Sequence, residues 1–564
     1  MDYMVILIAV LFGFLFLIMQ FSYSNQMRRK RWRERFQKEW GTVPEREYDA
    51  SELEKISRYF FYKRNKGQVK EPYIDDITWN DLDMDSIFIY ANHAKSSPGE
   101  EYLYYLLRTP VADQKILDER ERLMQFFQTH EKERTELEVC FAEIGRTRKF
   151  AISDYVDLLL TLKKESNFLH YVALGTIPIG LLLMTVLPEG VGFLLLIALL
   201  IFDITQYYKR KGEIDPYLTT FSHIMKMLDA SKALSELRIP EIRTYTSRIA
   251  HARKQFRRFE RGSMLLMSRN GATGSLEDVL LDFVRMVTHI DLLKFNSMLE
   301  EVKKNVEEID VLVENIGVLD ALLSAASFRE SLPLHGIPEF VDTENAFVEI
   351  QDVYHPLIAE PVANSISEEQ SVLLTGSNAS GKSTFLKTVA INAIIAQSFN
   401  TCIATSYKAS FFQIYSSMAL QDNLQGSESY FIVEIKSLKR ILSHAKDKLP
   451  MLCFVDEVLR GTNTLERIAA SSQILKSLTR DNVLCFAATH DLELTQILEE
   501  YYSNYHFQEE IRDNDVLFNY QLYKGRAVSR NAIKLLRIIG YDHSIIENAE
   551  NTAAHFLETG EWRL

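Results

Sequence analysis

Residues 376–383 read Gly-Ser-Asn-Ala-Ser-Gly-Lys-Ser, and that combination suits one task, wrapping a run of phosphates. The glycines let backbone N–H groups turn inward, Lys382 has the reach for β and γ oxygens, and the Ser383 hydroxyl suits Mg²⁺. A strand-like SVLL precedes the loop and a helix-like TFLKTVAINAIIA follows, which puts the loop at a helix start where anions are favoured. Gly376, Ser377, Asn378, Ala379, Ser380, Gly381, Lys382, Ser383 and Thr384 are therefore the candidate nucleotide-binding residues, with ATP as ligand.

Two further apolar runs end in chemistry. MLCFVDE at 451–457 ends in two carboxylates, of which Asp456 would hold Mg²⁺ with Ser383 and Glu457 would polarise an attacking water. Acidic pairs after strands also serve as caps, and the upstream phosphate loop is what favours chemistry here. NVLCFAATH ends in Thr489-His490, and an imidazole at that place can bond to a γ-phosphate. The other reading is that Thr489 or Asp491 caps the helix LELTQILEEYY. Glu457 and His490 are the catalytic candidates. All three elements end apolar strands, where ligands of open α/β sheets collect.

These side chains need an α/β sheet to hold them, and from about residue 341 short runs rich in Val, Ile and Phe alternate with helical patterns. Residues 45–165 and 216–330 instead repeat apolar residues at three- and four-residue intervals, which predicts long helices packed side by side. With 564 residues, 47% hydrophobic and 25% charged, the chain has room for two or three domains with real cores. Cys140, Cys402, Cys453 and Cys485 lie far apart without CxxC spacing, which argues against a zinc site or a disulfide framework. A net charge of −13 opposes a nonspecific nucleic-acid coat. Any such contact must be local, and Arg253, Lys254, Arg257, Arg258 and Arg261 are its candidates for DNA or lipid headgroups, a solvated helix face being equally open.

Met4 to Phe21 is an almost unbroken apolar run, about the length that crosses ~30 Å of hydrocarbon. Arg28, Arg29, Lys30, Arg31, Arg33 and Arg35 follow it, which places the N-terminus outside and that flank in the cytoplasm. Residues 169–187 and 190–206 form a second apolar block broken at Pro188-Glu189-Gly190, flanked by Lys163-Lys164 and Lys209-Arg210-Lys211. This reads as a membrane hairpin, with Asp203 near an end where its cost is small. A basic soluble linker and a buried helix pair are the alternatives. The leading expectation is a multi-pass protein of the cell membrane with three transmembrane helices, its other domains cytoplasmic, in contact with membrane lipid; a membrane protein partner belongs to the alternative reading, a mechanical or signalling ATPase without nucleic acid.

The motifs of 341–550 follow one another as in the ATPase domain of the MutS family, a branch of the ABC-type ATPases, which this stretch resembles. TGSNASGKSTFLKT is similar to its phosphate loop, Asp422-Asn423-Leu424 with SYFIVE at 429–434 to its signature, DEVLRGTNTLE to its Walker B and D-loop, ATHDLEL to its histidine switch, and FNYQLYKGRAVSRNAIKLLRIIGY to its C-terminal hairpin and helix. HPLI at 355–358 and Asn364 also fall where the family has similar residues, and SSPGEEYLYYLLRTPVADQKILDERERL at 96–122 resembles the start of its lever domain. The resemblance implies a homodimer in which each ATP lies between one chain's phosphate loop and the partner's Ser429. The expected fold class is an α/β P-loop ATPase domain preceded by an α-helical lever-like domain carrying the spans. The expected divisions are 1–22 (span), 23–76 (basic flank and linker), 77–165 and 212–340 (lever), 169–206 (hairpin), 341–550 (ATPase) and 551–564 (tail). Nothing before residue 77 resembles the family's mismatch-reading domain or connector. Phe347-Val348-Glu349 has the letters of its mismatch wedge but is expected to be core. Val458 and Leu459, and Ser529-Arg530-Asn531, depart from its D-loop and C-terminal patterns.

Overall fold

The computed structural model describes residues 2–147, 151–163, 166–188, 190–263, 283–377, 380–418, 430–459, 462–512, 515–527, 533, 536–537 and 540–563. The chain divides into two compact units, one of residues 1–68, 91–105 and 122–328, the other of residues 69–90, 106–121 and 329–564.

The second unit is built on β-structure. Strands β1 (Glu339–Val341), β2 (Val348–Val353), β3 (Asn364–Glu368) and β5 (Ser406–Ser410) form a sheet in the order β1-β5-β2-β3. A larger sheet takes β4 (Val372–Thr375), β6 (Gln413–Ser417), β7 (Met451–Asp456), β8 (Val483–Ala488), β9 (Ser503–Arg512) and β10 (Asp515–Lys524) in the order β10-β9-β4-β8-β7-β6. Its pairs are parallel except the β9–β10 hairpin. Every residue of β4, β7 and β8 is buried, which explains their continuous apolar runs: a parallel strand covered on both faces has no solvent side to mark with polar residues. Phe347, expected in the core, is half-buried ahead of β2, and its backbone pairs with Ser410.

The first unit is helical. The helix Asp2–Glu39 runs unbroken from the apolar N-terminus through the basic flank, and side chains are described from Met19 on, except 21 and 22. Two of the flank's arginines have carboxylate partners on the helix Glu131–Ile144, Arg29 with Glu143 at 2.7 Å and Arg33 with Glu136 at 2.6 Å. Two described helices are long and apolar enough to cross a membrane, Val191–Ile214 and Val306–Ser331, and a pair bent by 44°, Phe168–Thr176 and Pro178–Val186, would add a third. Burial separates them: 83% of the apolar window of Val306–Ser331 is buried against 17% for Val191–Ile214. The former is a core helix by its packing, whereas the latter presents Phe193, Leu194, Ile201 and Phe202 outward. Val191–Ile214 is the first part of a continuous 46-residue helix ending at Glu236.

SSPGEE at 96–101 opens the helix Ser97–Arg108 and is held by Asp320, fully buried on the helix Val306–Ser331. The Asp320 carboxylate accepts from the Lys95 and Ser96 N–H groups and from Ser96 Oγ, at 3.1, 2.9 and 2.5 Å. A remote side chain thus satisfies donors that a helix start leaves open.

Candidate nucleotide site

β4 delivers the chain to Gly376, whose φ of +151° a side-chain-bearing residue rarely adopts, and a Cβ there would meet Ser380 Oγ at 2.8 Å and the Phe507 carbonyl at 2.9 Å. Gly381, at φ +107°, starts the helix Lys382–Phe399. Both glycines are therefore backbone requirements of the loop. Lys382 is buried and donates from Nζ to the Gly376 and Ser377 carbonyls, each at 2.8 Å. Ser377 Oγ donates to Glu509 on β9. Asn378 and Ala379 lie outside the described residues.

Neighbouring strands supply the chemistry. Ser383 Oγ donates to Asp456 Oδ2 at 2.5 Å, and His490 Nε2 lies 2.6 Å from Glu457 Oε1 and 3.5 Å from Lys382 Nζ. Strand order explains this, because β4, β8 and β7 are adjacent and each ends where one of these groups begins. Thr489 and Asp491 have other duties. Asp491 N bonds to Thr489 Oγ1 at 3.0 Å, while the Asp491 carboxylate makes no cap and takes both bonds of Arg467 at 2.8 and 2.6 Å.

A cavity of about 710 Å³ opens beside the loop, lined by residues 380–384, Glu457 and His490, and by Tyr354, His355, Ile358, Pro361, Val362 and Tyr520. That volume suits a nucleotide, with polar groups at one end and apolar ones at the other. Burial, with Lys387 adding to it, holds the His355 imidazole below its ordinary value, and Glu360 also lines the cavity. Ser380 Oγ is buried and has no hydrogen-bond partner among the described residues, and it lines the cavity. The Ser383 hydroxyl and Asp456 carboxylate are hard oxygen donors that fit Mg²⁺, which needs few protein ligands when phosphates supply the rest.

Sequence reading missed two contributors, Tyr520 and Phe507. Tyr520 packs against Gly381, where an added Cβ would meet its Cδ1 at 3.3 Å. It stands in an irregularity of β10 between Phe518 and Leu522, at φ +52°. Asn364 pins that irregularity, donating to the Tyr520 carbonyl at 3.0 Å and accepting from Leu522 N at 2.7 Å. Phe507 meets Phe385 edge to face at 5.9 Å. A bulge leaves no period of its own in a sequence, so only the Asn364 resemblance pointed here.

Among the signature residues, Ser429 and Asp422-Asn423-Leu424 lie outside the described residues, as do Ser529-Arg530-Asn531. Glu434 is buried and accepts from the Leu459 N–H, and Leu459 takes a left-handed φ of +59°. The departure from small residues at Val458 and Leu459 thus fills the core beside the helix Tyr430–His444. The basic cluster divides: Arg253, Lys254 and Arg257 line one groove, while Arg258 and Arg261 do not.

Residues 372–557 match the family model of MutS domain V. The chain is 31% identical to mouse MutS protein homolog 4 over 288 residues, 48% of this chain and 29% of that protein. It is 28% identical to the DNA mismatch repair protein MutS of Bacillus pumilus over 323 residues, 54% of this chain and 36% of the other. To the same-named protein of Thermotoga maritima it is 28% identical over 305 residues, 52% and 38%. The chain spans about a third of the length of these relatives. The matched domain is an ATPase domain of α/β type, preceded here by helical structure.

Proposed function

We propose that this protein is a membrane-anchored member of the MutS family that binds and hydrolyses Mg·ATP as a homodimer and couples that cycle to movement of its helical lever, with DNA as the lever's ligand. The single observation that carries the ATPase reading is the convergence of Lys382, Ser383, Glu457 and His490 on one cavity from three adjacent strand ends, with Asp456 bonded to Ser383. Lys382 supplies positive charge for the β and γ oxygens, and Ser383 and Asp456 would hold Mg²⁺, which when bound offsets phosphate charge. Glu457, held by the His490 N–H, orients water and takes its proton.

A shared site follows from the family resemblance: Ser429 of one chain completes the site of the other. The test mixes Lys382→Ala chains with Ser429→Arg chains, each inactive alone. Heterodimers then hold one site with both lesions and one with neither, so activity should reappear. No recovery, under conditions where wild-type chains exchange, overturns the shared site.

A second reading, an ATP-driven mechanical or signalling protein acting on a membrane partner without nucleic acid, is favoured by the outward apolar face of Val191–Ile214. Duplex binding by the purified protein separates the two. The DNA reading requires an affinity that falls steeply with salt.

A further inference from the structure

The end of the 46-residue helix, Arg238 and the helices Arg243–Lys254 and Arg257–Glu260 border an open groove of about 750 Å³. Among the described lining residues Lys232, Arg238, Arg253, Lys254 and Arg257 face Glu236 and Glu260, five cations to two carboxylates in a chain of net charge −13, with Asp229 in electrostatic reach of Lys232 and Arg253. Arg238 takes a left-handed φ of +50° just past the helix end, where glycine usually stands. Arg253 Nη2 lies 2.8 Å from Glu260 Oε1, and among the described residues neither Arg253 Nε nor that oxygen has a hydrogen-bond partner. Lys254 and Arg257 are exposed and form no ion pair among the described residues. Like charges gathered in a concavity repel one another unless an anion joins them.

We infer that this groove is a second anion site, separate from the nucleotide cavity, that takes a small soluble polyphosphate. An excess of three positive charges matches a ligand with several phosphoryl groups, and guanidinium forks suit phosphate oxygens. The volume is that of a small-molecule site. A headgroup of the chain's own membrane fits less well, an argument that rests on the membrane reading above. Lys232 follows Ile214, the end of the apolar segment, by 18 residues on one helix, about 27 Å of rise. An extended duplex is met along many successive phosphates, whereas these five cations gather on one open groove of small-molecule size.

Full-length protein in detergent, carrying Lys382→Ala to silence the phosphate loop, is titrated calorimetrically with inorganic tripolyphosphate. Saturable binding is expected, weakened about tenfold or more by Lys254→Gln with Arg257→Gln and unchanged by Arg258→Gln with Arg261→Gln. The charge-keeping pair Lys254→Arg and Arg257→Lys should bind as the parent does, which separates lost charge from lost fold. The groove variants in an otherwise wild-type chain should keep the nucleotide cavity's ATP affinity, so failure here and failure of the ATPase reading are distinguishable. Absent binding, equal binding by the groove variant, or tighter binding of duplex DNA or of phosphatidylcholine and phosphatidylserine vesicles than of tripolyphosphate overturns the assignment.

Discussion

His490 Nε2 and Glu457 Oε1 stand 2.6 Å apart at the ends of the paired strands β8 and β7. Such a contact needs the proton on Nε2, because two lone pairs would repel. Glu457 reaches this place through a left-handed backbone at φ +57°, a conformation that costs a side-chain-bearing residue about 1–2 kcal/mol. Its N–H bond to the Ala488 carbonyl at 2.9 Å helps to offset that cost. The result is a carboxylate aimed into the cavity and steadied by an imidazole, with Lys382 Nζ 3.5 Å from the same nitrogen.

Binding and turnover should therefore separate by mutation. Lys382→Ala removes the ammonium that grips phosphate and should weaken ATP binding by about tenfold or more. Glu457→Gln keeps the shape and should leave affinity within about threefold while lowering kcat by about 100-fold or more. Equilibrium titration and single-turnover kinetics decide this. Equal loss of nucleotide binding in both variants removes Glu457 from its role.

The difference between what sequence revealed and what it hid is physical. The phosphate loop, Asp456-Glu457 and Thr489-His490 were legible because each lies next to a buried parallel strand, and such strands are unbroken apolar runs. Asp320 was not, since nothing local to it tells that it caps a helix more than 200 residues away. Glu143 and Glu136, the partners of Arg29 and Arg33, were hidden likewise, and the basic flank read as charge alone. Tyr520 was hidden because an irregular β10 sets its direction.

Gly99 should prove intolerant of a side chain. A Cβ there would lie 2.1 Å from Asp320 Oδ2 and 2.8 Å from Asp320 Cβ, so the carboxylate must abandon the N–H groups of Lys95 and Ser96. Gly99→Ala is expected to cost about 2–4 kcal/mol of stability. Gly67 is the control, with φ +68° but open space around its missing Cβ, so Gly67→Ala should cost only about 1 kcal/mol. Chemical denaturation in detergent measures both, and equal effects would mean that the Asp320 contact does not govern.

The three-span topology makes its own claim. Single cysteines at position 2 and at position 189 should react with an impermeant thiol reagent in intact cells, and one at position 211 should not. The four natural cysteines are buried, so background labelling should be low. Reaction at 211 would reverse the orientation, and silence at 189 would favour a helix pair packed within the protein.

Glu101 should make stability fall as pH rises. Burial pushes its carboxyl up to about 8, against a lowering by the Ile152 N–H, while Lys55 also favours the charged form and Asp154 and Glu100 oppose it. An unfolded glutamate titrates near 4.3, so between that value and about 8 the unfolded chain releases a proton that the folded chain retains. The stability contribution is complete below about pH 4 and is lost as pH climbs through the folded value. Glu101→Gln cannot release that proton. Its stability relative to the wild type should rise by about 1–3 kcal/mol between about pH 5 and pH 8.5. Comparing the two proteins at each pH cancels the other titrating groups, among them Glu138, which burial pushes up to about 7, and Asp320, pushed up to about 6. Parallel curves for mutant and wild type would mean that Glu101 is ionised in the fold, and that Lys55, whose Nζ bonds to the Thr147 carbonyl at 2.7 Å, compensates its charge.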